Sequence, residues 1–157
     1  MIFLESEQYQ QKCIQLFNSY KKDISTLLPF AKVEHIGSSA IPNAISKGDL
    51  DIYIEVMPDQ FEFAINQLKT LNFIEKQNTL RTHELCMLES LNNDDVAFQI
   101  VVTNSVFTFF LIFRNKLIDS PLLVKEYNQL KLECSHLDHD QYRKIKSDFI
   151  NRVLNHL

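Results

Sequence analysis

Glycine occurs only twice and proline four times in the 157 residues, and no stretch is of low complexity or repeats at a fixed period. A flexible linker needs the former composition and a solenoid needs the repeat, so neither is expected. The three cysteines, Cys13, Cys86 and Cys134, are odd in number, far apart and without any Cys-x-x-Cys pairing. That excludes a disulfide framework and a cysteine zinc site, and it points to a reducing compartment. The longest apolar run, Phe107 to Phe113, is far too short to cross a bilayer. Glu5 and Glu7 stand where a secretory leader would carry basic residues, so the expected location is cytoplasmic, with no membrane partner. A basic excess is missing as well. Sixteen lysines and arginines against 20 acids leave a net charge of −4, with no field to draw a polyanion such as duplex DNA. Nucleic acid is therefore not an expected partner. Lys125, Lys131, Arg143, Lys144, Lys146 and Arg152 gather toward the C-terminus, but Glu126, Glu133, Asp138, Asp140 and Asp148 lie among them. That mixture describes a solvated helical face.

What is present is apolar and aromatic. With 45% apolar residues, 12 Phe and 5 Tyr, the chain can bury one sizeable core, and a single domain over residues 1–157 is expected. From Ser6 to about Leu28, Tyr9, Cys13, Leu16, Phe17, Tyr20, Ile24 and Leu27 recur at three- and four-residue spacing, which predicts an amphipathic helix closed by Pro29. Phe30 to Ile36 reads as a strand ending at Gly37. Asp49 to Val56 alternates Leu50, Ile52, Ile54 and Val56 against Asp49, Asp51, Tyr53 and Glu55, the pattern of a half-buried strand. Pro58 opens a helix to about Thr70. Arg81 to Leu88 and Val96 to Val102 are expected as an antiparallel hairpin about Asn92-Asn93-Asp94-Asp95. Helices follow over about 106–119, from Pro121 to about Cys134 behind a Ser120 cap, and over about 140–155. Strands in the middle and helices at the ends describe an α+β domain with a mixed sheet.

Asp49 and Asp51 lie two positions apart on a predicted strand, so their side chains leave one face. Two like charges held that close repel, and a divalent cation removes the conflict; hard carboxylate oxygens suit Mg²⁺ or Mn²⁺. Upstream, Gly37-Ser38-Ser39 follows a strand. Glycine there lets a phosphate approach the backbone, and two hydroxyls with their N–H groups can donate to it. Lys47, just before the carboxylates, could reach a triphosphate as a point charge. A cradle and a cation site aimed at one triphosphate suit in-line displacement at a nucleotide's α-phosphorus. The plainer alternative is a solvated Asp-x-Asp on an outer face beside an ordinary Gly-Ser-Ser turn.

The pattern Gly-Ser-Ser, about ten residues, then Asp-x-Asp resembles the signature of polymerase-β-type nucleotidyltransferases. The text from Val33-Glu34-His35-Ile36-Gly37-Ser38-Ser39-Ala40-Ile41-Pro42 to Ser46-Lys47-Gly48-Asp49-Leu50-Asp51-Ile52 is more closely similar to the GrpB family. Phe113-Arg114-Asn115-Lys116-Leu117, Pro121, Tyr127, Leu130-Lys131, Tyr142, Lys146 and Phe149-Ile150 resemble that family's C-terminal signature, so the likeness spans nearly the whole chain. It implies a minimal nucleotidyltransferase-like mixed β-sheet flanked by helices, with additional C-terminal helices. It also implies Gly37 and Ser38 at the nucleotide phosphates and Asp49 and Asp51 as metal ligands and catalytic residues. Relatives fused to dephospho-coenzyme A kinase hint at a substrate near nucleotides or coenzyme A. Active members of the wider superfamily supply a third carboxylate from a later strand. Here that strand reads Val96-Ala97-Phe98-Gln99-Ile100-Val101-Val102, with Gln99 its only polar side chain and Phe98 and Ile100 where GrpB relatives commonly have a histidine nearby. An amide can lend an oxygen to a metal but cannot act as a general base. Asp95, at the strand's start, belongs to the turn.

Further candidates are Arg81 and His83, read as sharing one face of a strand, and Arg114, which needs an internal carboxylate or a substrate phosphate as partner within an apolar helix. Lys131 and Tyr127, four apart on one helix, are expected on the same cleft. His35 is read as satisfying a backbone carbonyl, and Phe107, Phe109, Phe110 and Phe113 as core. The expected activity is metal-dependent transfer of a nucleotidyl group from a nucleoside triphosphate to a small-molecule or protein acceptor. The alternatives are a nucleotide-binding module without catalysis and a protein-interaction unit using the C-terminal helices.

Overall fold

A computed structural model describes residues 1–155, so the domain expected over 1–157 is followed as far as 155. Its first helix, α1 (Ser6–Leu27), starts where Gln8 reaches back to accept the Glu5 amide at 2.7 Å, and it ends ahead of Pro29. Tyr9, Cys13, Tyr20 and Ile24 form its buried stripe, the face that the three- and four-residue spacing marks. Strands β1 (Lys32–Ile36) and β2 (Leu50–Val56) pair antiparallel, Ile36 lying opposite Asp51. A 3-10 turn at Pro58–Gln60 leads into α2 (Phe61–Lys69).

Three strands follow: β3 (Phe73–Glu75), β4 (Leu85–Ser90) and β5 (Val96–Val102). They complete a five-stranded mixed sheet in the order β1-β2-β5-β4-β3, in which only β2 and β5 run parallel. The parallel pair requires a crossover, which α2 and the β3–β4 hairpin supply. The α+β expectation holds. The expected strand over 81–88 begins only at Leu85, because the Thr82 hydroxyl accepts the Glu84 and Leu85 amides and the Thr82 amide donates to the Leu85 carbonyl at 3.0 Å. That local turn takes Arg81 and His83 off the sheet. The short β3 was not expected; three residues carry no readable alternation, and pairing with β4 is what makes them a strand.

Helices α3 (Phe109–Ile118), α4 (Pro121–Glu133) and α5 (His139–Asn155) close the chain. Ser120 caps α4 by accepting the Leu123 amide at 3.3 Å, with Pro121 at the first helical position. One face of the sheet meets α1 and α2 through Ile52, Ile54, Phe98 and Ile100, all fully buried. The other face carries Ile36, Tyr53, Leu85 and Val101 against Phe107 and Phe110, and beyond them Leu117, Tyr127, Phe149 and Val153 join the last three helices. Between that second face and the three helices lies a cavity of about 310 Å³. Among the described residues all three cysteines are unpaired and buried, and no helix is long and apolar enough to cross a membrane.

Candidate functional site

The cavity is built on the loop that leaves β1. Gly37 takes φ +74°, a left-handed conformation that disfavours any side chain, and a Cβ there would come within 2.6 Å of Asp51 Oδ2. Backbone and carboxylate thus touch at the cavity floor. The 3-10 turn Ser38–Ala40 that follows is pinned by α1, where Gln10 Nε2 donates to the carbonyls of Ser38 at 3.1 Å and Ile41 at 2.7 Å. Asn128 of α4 holds the same loop by accepting the Ile45 amide and donating to the Asn43 carbonyl. The two serines separate. Ser38 lines the cavity, whereas Ser39 is buried against His35, its Oγ 2.7 Å from Nε2. A one-turn helix cannot aim consecutive side chains the same way, so of the two expected hydroxyls the structure brings one to the site. His35 itself stacks on Phe17 of α1, on the far side of the sheet. Its bond is to the Ser39 hydroxyl, not the carbonyl expected, and burial, with the Arg114 charge, lowers its pKa to about 4.

Asp49 and Asp51 both line the cavity. Ser46 steadies the first, donating from Oγ to Asp49 Oδ1 at 3.2 Å while accepting the Gly48 amide at 3.0 Å. Burial, and then the neighbouring Asp49 charge, push the Asp51 carboxyl well above the usual carboxylate range. Gln99 reaches the same cavity from β5, where it lies beside Tyr53 in the parallel register, and its Oε1 is buried with no hydrogen-bond partner. Two carboxylates and an orphaned amide oxygen on one wall form a hard-oxygen donor set that fits a divalent cation. Among the described residues no third histidine, cysteine or carboxylate joins them. Asp95 is exposed; burial of part of the group and the Asp49 charge raise its pKa.

The opposite wall is cationic. Lys131 is 2% exposed and donates from Nζ to Ser38 Oγ and to the Ile45 carbonyl, both at 2.6 Å, with the Tyr127 ring 4.1 Å away. Burial, then Lys146, lower its pKa to about 7, while the two acceptors and the ring face favour the ammonium. Lys146, half-buried on α5, is held above the usual lysine value chiefly by the Tyr127 phenol, against its burial. Lys47, Lys76 and Arg143 line the rim, all exposed. Arg114 also reaches the wall, but its guanidinium donates to the His35 carbonyl at 2.9 Å and to Glu34 Oε1 at 3.2 Å, which fastens α3 to β1.

Arg81 and His83 are not part of this site. Arg81 pairs with Glu75 at 2.6 Å and Glu62 at 3.5 Å over the Phe61 ring, and His83 is exposed in the turn before β4. The reading of the C-terminal cations as a solvated face is also corrected, since Lys131 is buried and Lys146 half-buried. A signal for Lys146 was available: it sits inside the stripe Tyr142, Lys146, Phe149 and Val153, whose other members are all buried.

The GrpB protein family model matches residues 4–156. A UPF0157 protein of Vibrio cholerae is 51% identical over 154 residues, covering 98% of this chain and 82% of that one. A UPF0157 protein of Deinococcus radiodurans is 26% identical over 88% of this chain and 73% of its own. The crystal structure of the conserved protein GrpB from Enterococcus faecalis overlays with a TM-score of 0.75 at 20% identity, covering 98% of this chain and all of that one, which supports the same fold. A family match over nearly the full length, a close relative and a shared fold together place this chain in the GrpB family.

Proposed function

We propose that this chain is a metal-dependent nucleotidyltransferase that moves a nucleotidyl group from a nucleoside triphosphate to an acceptor. The observation that carries the reading is charge. In a chain of net −4, six lysines and arginines line one cavity; Arg114 is paired with Glu34, and the other five, Lys47, Lys76, Lys131, Arg143 and Lys146, form no ion pair within 4 Å among the described residues. Among the described residues the carboxylates that line the cavity against those five are Asp49 and Asp51, so unpaired basic side chains outnumber acidic ones. A cationic lining that runs from exposed rim residues to the buried Lys131 suits a polyphosphate.

Asp49 and Asp51 would hold Mg²⁺ or Mn²⁺, with Gln99 Oε1 as a neutral third oxygen. The cation would neutralise charge developing on the phosphoryl oxygens. The chain's own groups do the rest. Gly37 makes room for the Asp51 carboxylate at the cavity floor, Ser38 presents a hydroxyl, Lys131 orients that hydroxyl, and the rim lysines draw the anion in. A second reading, a nucleotide-binding module without catalysis, is favoured by Gln99, an amide that cannot accept a proton.

A thermal-shift screen tests both readings, using the common nucleoside triphosphates with and without Mg²⁺. Binding at about a hundred times Kd adds roughly 2.7 kcal/mol, a Tm rise of about 5–10 °C at this size. The expected result is a metal-dependent rise lost in Asp49→Asn/Asp51→Asn. Pyrophosphate release with a suitable acceptor then separates transferase from binding module. An unchanged Tm with every nucleotide would overturn both and leave the interaction-module reading.

A further inference from the structure

The cavity's α5 wall carries more cationic equipment than the cradle at Gly37 and Ser38 uses. Arg143 and Lys146 stand one helical turn apart on α5 and both line the cavity, with neither in an ion pair among the described residues. They approach from the C-terminal helix, whereas the cradle is fastened by α1 and α4 through Gln10, Asn128 and Lys131. Among the described residues the site is also poor in groups that could act as a base. Among the described residues its carboxylates are Asp49, just before β2, and Asp51, on it, both assigned to the cation in the reading above, and β5 offers the Gln99 amide in place of an acid. Lys131 Nζ is already engaged with Ser38 Oγ and the Ile45 carbonyl, and His139, which lines the cavity where α5 begins, is exposed to solvent. An alcohol must lose a proton as it attacks phosphorus, and among the described lining residues only His139, an exposed ring at the cavity rim, is free to take it. A phosphate monoester needs no base, because its second ionisation, at pKa about 6, is largely complete at pH 7.

We propose, resting on the donor reading above, that the acceptor at this site is a phosphate monoester, held by Arg143 and Lys146, and not an alcohol. One of its oxyanions attacks the α-phosphorus of the nucleoside triphosphate, forming a new P–O–P bridge. The bond between the α-phosphorus and the bridging oxygen to the β-phosphorus breaks, and its electron pair leaves on pyrophosphate. The charges balance without any proton transfer. The product is a nucleoside diphosphate ester of the acceptor. Gln99 is then a suitable neighbour, since it can lend an oxygen without adding negative charge beside two anionic reactants.

The test uses the full chain, Mg²⁺, the α,β-methylene analogues of the common nucleoside triphosphates as donor mimics, and inorganic phosphate as the acceptor probe. With an analogue saturating, calorimetric titration should show phosphate still binding. Arg143→Gln/Lys146→Gln should weaken phosphate binding by roughly tenfold or more, about 1.4 kcal/mol, and change analogue affinity far less. Arg143→Gln alone, at an exposed position, should show a smaller loss of the same kind and guards against misfolding of the double variant. Exclusion of phosphate by the analogue overturns the proposal, because the α5 cations then serve the donor's own phosphates. Equal loss of both ligands in the variants overturns it for the same reason. Failure of every analogue to bind removes the donor reading itself, and this proposal with it.

Discussion

On the side covered by α1 and α2, strands β2 and β5 present Ile52, Ile54, Phe98 and Ile100, none of them exposed and none polar. On the side covered by α3, α4 and α5 the same two strands present Asp51, Tyr53 and Gln99, and the helices above them supply Arg114, Lys131 and Lys146. Alternation along a strand puts neighbours on opposite faces, so each of these strands contributes to a dry core and a polar cavity at once. The dry face gains stability from every side chain it buries. The cavity face holds groups that burial disfavours: a carboxyl with its pKa raised, a lysine with its pKa lowered, and an amide oxygen with no partner. Strain of this kind is what a binding site stores and a bound ligand relieves.

The contrast can be broken most severely on the dry side. Phe98 stacks on Phe73 at 3.9 Å between ring centres and meets Tyr20 edge-on at 5.7 Å. Phe98→Ala should lose about 3–5 kcal/mol in urea denaturation. On the cavity side the sign should reverse. Because the folded-state pKa of Asp51 is raised, the folded protein binds more protons than the unfolded chain above the unfolded pKa, and stability falls as pH rises through the folded value. Asp51→Asn should therefore stabilise the metal-free protein near neutral pH. About 1 kcal/mol, a Tm rise of roughly 2–4 °C in EDTA, is the expected size, in a variant that no longer responds to Mg²⁺. A fall in Tm would place Asp51 among the groups that hold the fold together.

A third way to sharpen the contrast concerns His35, the polar exception on the dry face. Its folded pKa lies at about 4, below the ordinary value of 6.5, so the unfolded chain takes up the proton first as pH falls. Stability should decline between about pH 6.5 and pH 4 for this reason, and His35→Gln should flatten that part of the wild-type minus variant difference. An unchanged slope would mean that His35 is solvated enough to protonate in the folded state.

Much of the fold was legible in the sequence because it rests on local periodicity. The helical spacing from Tyr9 to Ile24, the alternation from Leu50 to Val56, and the Ser120-Pro121 start signal each specify an element without reference to the rest of the chain. Elements held only by distant pairing were not legible. The three residues of β3 depend on β4 for their hydrogen bonds, and Arg81 and His83 left the sheet through a hydroxyl bond at Thr82 that competes with strand pairing. In the candidate site, Gly37, Ser38, Asp49 and Asp51 could be read as one group because they flank two neighbouring strands close in sequence. Ser39 could not be told from Ser38, since only the turn's geometry sends one hydroxyl to the cavity and the other to His35.

By itself the sequence determined the types of the longer, periodic elements, the family, and the candidate residues of one half of the site, because periodicity and a compact motif are properties of neighbouring residues. Only the tertiary structure decided the other half. Lys131 lies 93 residues from Ser38 and donates to it at 2.6 Å, and Lys146 faces Asp51 across the cavity only because α5 folds back over the sheet. A lysine's charge looks the same in sequence whether water or a cavity surrounds it. Its surroundings are fixed by packing between distant elements, and those surroundings set what the charge can do.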